Sequence, residues 1–144
     1  MTTTRSAPRL ASQLRVSVAR LARRLRQEGS HDENATPSQL TALATLYRDG
    51  PMTLGELAAA ERVKPPSMTR VVAALEERGL IRRDHSSNDA RVVHVSATDE
   101  GRRAHEEYRK RRDAWLCRQL KELSEEEREV LVKASDILDR LAEP

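Results

Sequence analysis

The chain has 144 residues, a net charge of +3 and 38% apolar residues, which allows one hydrophobic core but not two. Aromatic residues make up only 2% of the chain and charged residues 34%, so we predict an extended helical body whose core is completed by a partner chain. The mean hydropathy of −0.71 would also suit a disordered chain, but the helical spacing of the apolar residues argues against disorder.

The composition also disfavours several classes of protein. No stretch approaches the roughly 20 apolar residues of a membrane span, and no signal peptide pattern is present, so we expect a cytoplasmic protein without a membrane partner. Cys117 is the single cysteine, which excludes an internal disulfide framework and a cysteine-built zinc site. The four histidines lack the spacing of a helical metal site, and the common catalytic motifs are missing. We therefore expect no metal, no cofactor and no enzyme.

The first third of the sequence predicts two helices separated by a loop. Apolar residues recur every three or four positions over residues 10–25, in one stripe along a helix of about four turns. Residues 28–38 are polar and contain Gly and Pro, which predicts a loop that ends with a helix start near Thr36 or Pro37. Turn residues at positions 49–51 should end this second helix.

Two further short helices should follow. Thr53 can cap the third helix, with Glu56 at the capping-box position three residues later. Because Pro66 disfavours the helical conformation at Pro65, the fourth helix should begin at about Pro66. Gly79 is a natural residue to follow its last turn.

After Gly79 the apolar spacing changes from helical to alternating. Residues 80–84 and 92–96 predict two short strands of a hairpin with a polar, basic tip. Thr98 should cap a long fifth helix that reaches about Leu123, and Ser124 with Glu127 forms a capping box for a sixth helix. The sixth helix carries an apolar stripe that includes Leu131, Leu138 and Leu141.

Charge is distributed unevenly along the chain. The first 26 residues contain seven arginines and no acidic residue, whereas residues 122–143 contain eight acidic residues and three basic ones. The two ends would attract each other across an antiparallel interface, although a solvated helix face explains the arginines equally well. Residues 62–91 carry a moderate basic excess of the kind that can face phosphate.

Two short helices, a tight turn and a hairpin together predict a winged helix-turn-helix, so the fold class is mainly α with a small β element. On a helical wheel the fourth helix has two faces. The inward face would consist of Met68, Val71, Val72 and Leu75. The opposite face would consist of Pro66, Arg70, Ala73, Ala74 and Glu77.

The outward face suits DNA because small residues let a helix enter a major groove. Arg70 could there read guanine O6 and N7 or hold a phosphate. Ser67 and Thr69 flank it as short hydroxyls near the helix N-terminus. The alternative is an ordinary packed helix.

Two stretches carry a more specific signal. Residues 63–83 read V-K-P-P-S-M-T-R-V-V-A-A-L-E-E-R-G-L-I-R-R, and residues 88–101 read N-D-A-R-V-V-H-V-S-A-T-D-E-G. Together they resemble the multiple-antibiotic-resistance regulator (MarR) family of bacterial winged-helix transcription factors. The second stretch is similar to the family's D-x-R wing signature and to its strand-to-helix junction, in which Ala97 replaces the usual leucine.

The resemblance implies a homodimeric transcriptional regulator, by family default a repressor, that binds a pseudo-palindromic operator in double-stranded DNA. Residues 36–101 would form the DNA-binding region, and residues 1–35 and 102–144 the helical dimerisation region. The expected dimerisation residues are Leu10, Leu14, Val18, Trp115, Leu116, Leu131, Leu138 and Leu141.

The resemblance also implies roles in the wing. The wing arginine of the family enters the minor groove, so we expect this of Arg91, while Asp89 would orient basic residues. Without the family match, a solvated hairpin tip is the simpler interpretation of both. Further expected phosphate contacts, each of which could equally be a cap or turn residue, are Thr53, Lys64, Ser87 and Asn88.

Finally, the resemblance implies a small effector, often an amphipathic phenolic anion, in a pocket between the dimerisation helices and the winged module. Leu43 and Tyr47 are the candidate lining residues, although both could simply fill the core. With no Phe in the chain, the pocket walls should be mainly aliphatic. We expect Cys117 to be a small buried residue and not a sensor.

A function of another class stays open. The chain could be an architectural or protein-interaction winged-helix module that lacks operator specificity. Arg70 beside Ala73 and Ala74 is the feature that favours a sequence-specific DNA-binding protein.

Overall fold

The computed structural model describes residues 6–30, 35–85 and 91–144. These ranges form a mainly helical fold with one small antiparallel sheet, and the predicted fold class and order of helices are confirmed. The elements are α1 (Ala7–Gly29), α2 (Pro37–Asp49), β1 (Met52–Thr53), α3 (Leu54–Glu61), α4 (Pro65–Glu77), β2 (Ile81–His85), β3 (Val93–Ala97), α5 (Asp99–Lys121) and α6 (Glu125–Ala142).

The predicted helix caps are largely confirmed. The Thr53 hydroxyl oxygen accepts a hydrogen bond from the Glu56 backbone N–H at 3.1 Å. The Ser124 hydroxyl accepts from the Glu127 N–H at 3.1 Å, while the Glu127 carboxylate accepts from the Ser124 N–H at 2.9 Å. Thr36 forms the same reciprocal box with Gln39 at the start of α2. Side-chain acceptors therefore define where these helices begin.

Some element boundaries differ from the prediction. Helix α4 begins at Pro65, one residue earlier than expected, because Lys64 takes the extended conformation and acts as the N-cap. Both prolines then occupy first-turn positions, where a missing N–H costs nothing. The hairpin strands lie one residue further along the chain than predicted, and α5 ends at Lys121. Helix α1 is longer than its apolar stripe.

The short strand β1 was not predicted. The sheet order is β1-β3-β2, with Val95 of β3 paired to both Met52 of β1 and Arg83 of β2. Two residues are too few to show an alternating pattern in the sequence. Strand β1 is defined by its pairing with the edge of β3.

The hydrophobic core lies within the winged module. Leu43 of α2, Leu57 of α3, Val72 of α4 and Val95 of β3 are completely buried. Met68 and Leu75 join Val72 on the buried face of α4, as predicted. This core packs both helices of the helix-turn-helix against the sheet.

Helices α1 and α6 lack such a core. No residue of α6 is buried, and Val130 is 64% exposed. On α1 the predicted stripe is also open, with Leu10 48% and Val18 45% exposed. The described part of the chain leaves much of these apolar faces uncovered, so each could pack against another helix.

Other expectations about composition can be compared with the structure. No helix in the described ranges is long and apolar enough to span a membrane. Within those ranges, no three His, Cys, Asp or Glu side chains are grouped to hold a metal ion. Cys117 is exposed on α5, which contradicts its expected burial, because the turn of α5 that carries it meets little of the chain.

The start of α5 is joined closely to the hairpin. The Thr98 hydroxyl donates to the Gly79 carbonyl at 2.6 Å and accepts from the Gly101 N–H at 3.1 Å. Gly79 has a φ of 73°, the left-handed conformation predicted at the end of α4. A Cβ at Gly101 would collide with the Leu80 carbonyl oxygen and lie 3.1 Å from Leu43 Cδ1.

We predict that Gly101→Ala lowers the free energy of unfolding by about 1–3 kcal/mol, because the new methyl group overlaps backbone that cannot move freely. The matched control is Gly55→Ala in α3, where the nearest atom to a new Cβ lies 4.0 Å away. The control should be neutral or stabilising. Urea unfolding followed by circular dichroism measures both, and equal stabilities would contradict the prediction.

Candidate nucleic-acid interface

The outward face of α4 is the strongest candidate for a binding surface. Pro66, Arg70, Ala73 and Glu77 are exposed, opposite the buried Met68, Val72 and Leu75. Ala74 differs from the prediction, since it is half-buried. The face therefore carries short side chains at Pro66 and Ala73 and one long cationic side chain, Arg70.

Arg70 is available for a ligand. It is exposed, and no ion pair joins it to any other residue in the described ranges. A guanidinium that is not committed within the protein can meet the acceptor atoms of guanine or a phosphate without first breaking a bond.

The N-terminal end of α4 presents short polar groups. Lys64 and Ser67 are exposed there. The Thr69 hydroxyl donates to the Pro65 carbonyl at 3.0 Å, so its oxygen remains as an acceptor. A phosphate needs donors, which Lys64 and Ser67 supply and Thr69 in this conformation does not.

Thr53 lies at the start of α3 and is half-buried. Its hydroxyl oxygen caps the helix, which agrees with the structural alternative for this residue. The hydroxyl hydrogen is still available, so a phosphate contact stays a prediction.

The hairpin is held against α4 by an ion pair that the sequence did not indicate. Arg83 Nε of β2 lies 2.7 Å from Glu76 Oε2 of α4. The spacing of seven residues carries no signal, because the contact depends on how β2 turns back along the helix. Through this pair the base of the wing and the outward face of α4 are positioned together.

The wing tip can be located only in part. Arg91 is exposed next to β3. Ser87, Asn88 and Asp89, which were predicted to contact DNA or to orient basic residues, lie outside the described residues. Their roles, like that of Arg91, remain predictions.

The candidate effector residues lie in different surroundings. Leu43 is completely buried in the core, as in the alternative interpretation of this residue. Tyr47 is 39% exposed, and its ring centroid lies 4.6 Å from that of His105. Burial, and then the positive charges of Arg112 and Arg109, lower the pKa of His105 below its usual value, so the imidazole is neutral at neutral pH.

A cavity of about 270 Å³ lies where α1, α2 and α5 meet. One wall carries Arg112, whose guanidinium carbon sits 4.2 Å from the centroid of the Tyr108 ring. Arg112 Nε is buried and has no hydrogen-bond partner in the described ranges. Neither Leu43 nor Tyr47 lines this cavity, which is formed by Ala22, Leu25, Arg26, Leu40, Thr41, Ala44, Tyr108 and Arg112.

The predicted dimerisation residues lie on α1, α5 and α6 and are exposed or half-buried. Leu131 is 43% and Leu141 68% exposed. Leu14, Trp115, Leu116 and Leu138 are half-buried. Trp115 lies beneath Arg24, whose guanidinium carbon is 5.5 Å from the ring centroid.

Comparisons with known proteins agree with this geometry. A model of the MarR family matches residues 35–93. The chain is 42% identical over 130 residues to the HTH-type transcriptional regulator ML2140 of Mycobacterium leprae, covering 90% of each protein. It is 34% identical over 142 residues to the HTH-type transcriptional repressor MdtR of Bacillus subtilis, covering 96% of this chain and 90% of MdtR.

A solved structure shows the same architecture along nearly the whole chain. The crystal structure of a putative transcriptional regulator from Pseudomonas aeruginosa superposes with a TM-score of 0.83 at 39% identity, covering 96% of this chain and 98% of that one. The chain therefore belongs to the MarR family of winged helix-turn-helix, DNA-binding transcriptional regulators.

Proposed function

We propose that this regulator is a homodimeric, sequence-specific repressor that a small effector releases from its operator. The observation that carries the proposal is the outward face of α4, where Arg70 is exposed near Ala73 and forms no ion pair with the described residues. Such a face can enter a major groove with its guanidinium facing base edges. A repressor must reach chromosomal DNA, so the proposal includes a cytoplasmic location.

In the proposed complex, α4 reads the major groove and the wing follows the neighbouring minor groove. Arg70 makes the base contact, and Arg91 enters the minor groove. Asp89 positions basic residues of the wing. Phosphate contacts come from Thr53, Lys64, Ser67, Ser87 and Asn88.

The ion pair between Glu76 and Arg83 supports two-groove binding. It joins the recognition helix to strand β2 at the base of the wing, which favours a preorganised arrangement of the two.

The proposed dimer is formed by residues 1–35 and 102–144, with residues 36–101 as the DNA-binding region. Its support is the open apolar face of α6, where no residue is buried. The basic α1 and the acidic α6 add charges of opposite sign at the rim. A two-fold axis would set two copies of α4 about one DNA turn, roughly 34 Å, apart.

Repression would follow from occupation of the promoter. MdtR, which covers nearly the same length, is named a repressor. The effector would bind between the dimerisation helices and the winged module, and would release DNA only if it binds better to a dimer with a different spacing of the two α4 helices.

The cavity beside Arg112 supports an anionic aromatic effector, since an unpartnered buried N–H favours an acceptor. Tyr47 stays a candidate for its entrance. Leu43 would act only by supporting the wall, because it is completely buried.

We predict that Arg70→Ala weakens binding to the cognate operator by about 1–3 kcal/mol and reduces the preference over random DNA. Fluorescence anisotropy on the DNA next to the protein's own gene, against a scrambled duplex of the same composition, measures both affinities. Arg91→Ala is the comparison variant and should weaken both complexes similarly.

Equal small losses on both duplexes after Arg70→Ala would contradict base reading. Equal affinity of the wild type for both duplexes would favour the architectural module. A folded dimer that binds neither duplex would point to a protein-interaction module.

We predict that Val130→Glu weakens dimer formation roughly 100-fold, because each interface would bury two unpaired carboxylates. Val132→Glu is a closely matched control: Val132 is 65% exposed against 64% for Val130 and lies on the other side of α6. Sedimentation velocity at several concentrations measures the monomer fraction, and identical behaviour of the two variants would refute the α6 interface.

We predict that millimolar salicylate, used as a probe anion, releases the protein from operator DNA. Salicylamide, which lacks the carboxylate, should not. Arg112→Gln should lose the response while it keeps DNA affinity, because the cation that faces the anion is removed. Anisotropy titrations measure release, and a wild-type response to both compounds would contradict recognition by Arg112.

A further inference from the structure

The turn that joins α3 to α4 contains an arginine in an unusual backbone conformation. Arg62 has φ 53° and ψ 43°, and it is the one residue other than glycine with positive φ in the described ranges. This left-handed region is disfavoured for residues with a Cβ, and glycine is the common residue there after a helix.

The turn itself does not need an arginine side chain. The Arg62 N–H donates to the Ala59 carbonyl at 3.2 Å, and the Val63 N–H donates to the Ala58 carbonyl at 2.9 Å. Only backbone atoms make these bonds. After α4 the chain uses glycine at a position of positive φ, since Gly79 has a φ of 73°.

The Arg62 side chain is exposed. No ion pair holds it to another residue of the described ranges. The neighbouring carboxylate of Glu61 accepts a hydrogen bond from the buried Thr45 hydroxyl instead. A cation is thus presented to solvent at a position where its own backbone is unfavourable.

The position of Arg62 in the fold indicates which group its side chain binds. Lys64, two residues later, is the N-cap of α4, and Ser67 lies in the first turn. Arg62 therefore adds a second cation at the end of α4 that enters the groove under the proposed function. Pro65 and Pro66 have no N–H to offer, and the Ser67 N–H donates to the Lys64 carbonyl at 3.0 Å. The attraction for phosphate therefore comes from the two cations.

We propose that Arg62 contacts the DNA backbone and holds a phosphate beside the N-terminal end of α4. The proposal rests on the proposed function. A phosphate contact is sequence-independent, so Arg62 contributes affinity and register while Arg70 contributes base reading.

Three substitutions separate charge from turn geometry. Arg62→Gly and Arg62→Asn remove the cation and tolerate the left-handed conformation, whereas Arg62→Lys keeps the charge. The control for net charge is Arg48→Asn. Arg48 is exposed near the C-terminal end of α2. The opposite end of this 13-residue helix lines a cavity together with Val63 and Ser67. Arg48 therefore lies far from the N-terminus of α4.

Affinity is measured by anisotropy on the own-gene and scrambled duplexes between 50 and 200 mM salt. We expect Arg62→Gly and Arg62→Asn to weaken both complexes on the order of tenfold and to reduce the salt slope by about two per dimer. Arg62→Lys and Arg48→Asn should remain close to the wild type. Thermal unfolding of Arg62→Gly should occur at the same or a higher temperature.

Wild-type affinity and salt slope in both neutral variants would overturn the proposal, because Arg62 would then be only a turn residue. A loss confined to the own-gene duplex would also overturn it, since that is base reading. An equal loss in Arg48→Asn would assign the effect to net charge. A wild type that binds neither duplex would refute the proposed function, and this inference with it, so the two failures are distinguishable.

Discussion

The burial of one face of α4 is the constraint on which the rest of the structure depends. Met68, Val72 and Leu75 insert into a core built from α2, α3 and β3, and each is at most 2% exposed. Once one face of a helix is buried, the residues on the opposite face must point to solvent. The packing of α4 therefore turns Arg70 and Ala73 outward. The ion pair between Glu76 and Arg83 adds a contact between α4 and β2 at the base of the wing.

The position of this core also explains why apolar faces stay open elsewhere in the described part of the chain. Among the described residues, the buried apolar side chains lie within the winged module, with Tyr108 of α5 as the exception, whereas many apolar residues of α1 and α6 are exposed. Within α5 the buried residues are Gly101, His105 and Tyr108, all toward its N-terminal end. The proposed dimer would cover the faces that this distribution leaves open. Tyr108 and Arg112 of α5 line the cavity that α1 and α2 also border.

Sequence patterns were sufficient for features that depend on neighbouring residues. The caps at Thr53 and Ser124, the left-handed Gly79 and the two faces of α4 follow from local hydrogen bonding and helical periodicity. Errors arose where a residue's state depends on distant contacts. Cys117 was expected to be buried, but helical spacing cannot show whether anything packs against that turn of α5. Strand β1 depends on pairing with β3, some 40 residues away.

By itself, the sequence determined the fold class, the order of helices and the candidate DNA-reading residues, because each leaves a short-range pattern or a family motif at residues 63–101. Only the tertiary structure decided which charges are committed within the protein. Arg83 is held by Glu76 and Glu61 by Thr45, while Arg70 and Arg62 remain uncommitted among the described residues. The sequence cannot make this distinction, because a charged side chain's partner is set by how distant backbone segments pack together.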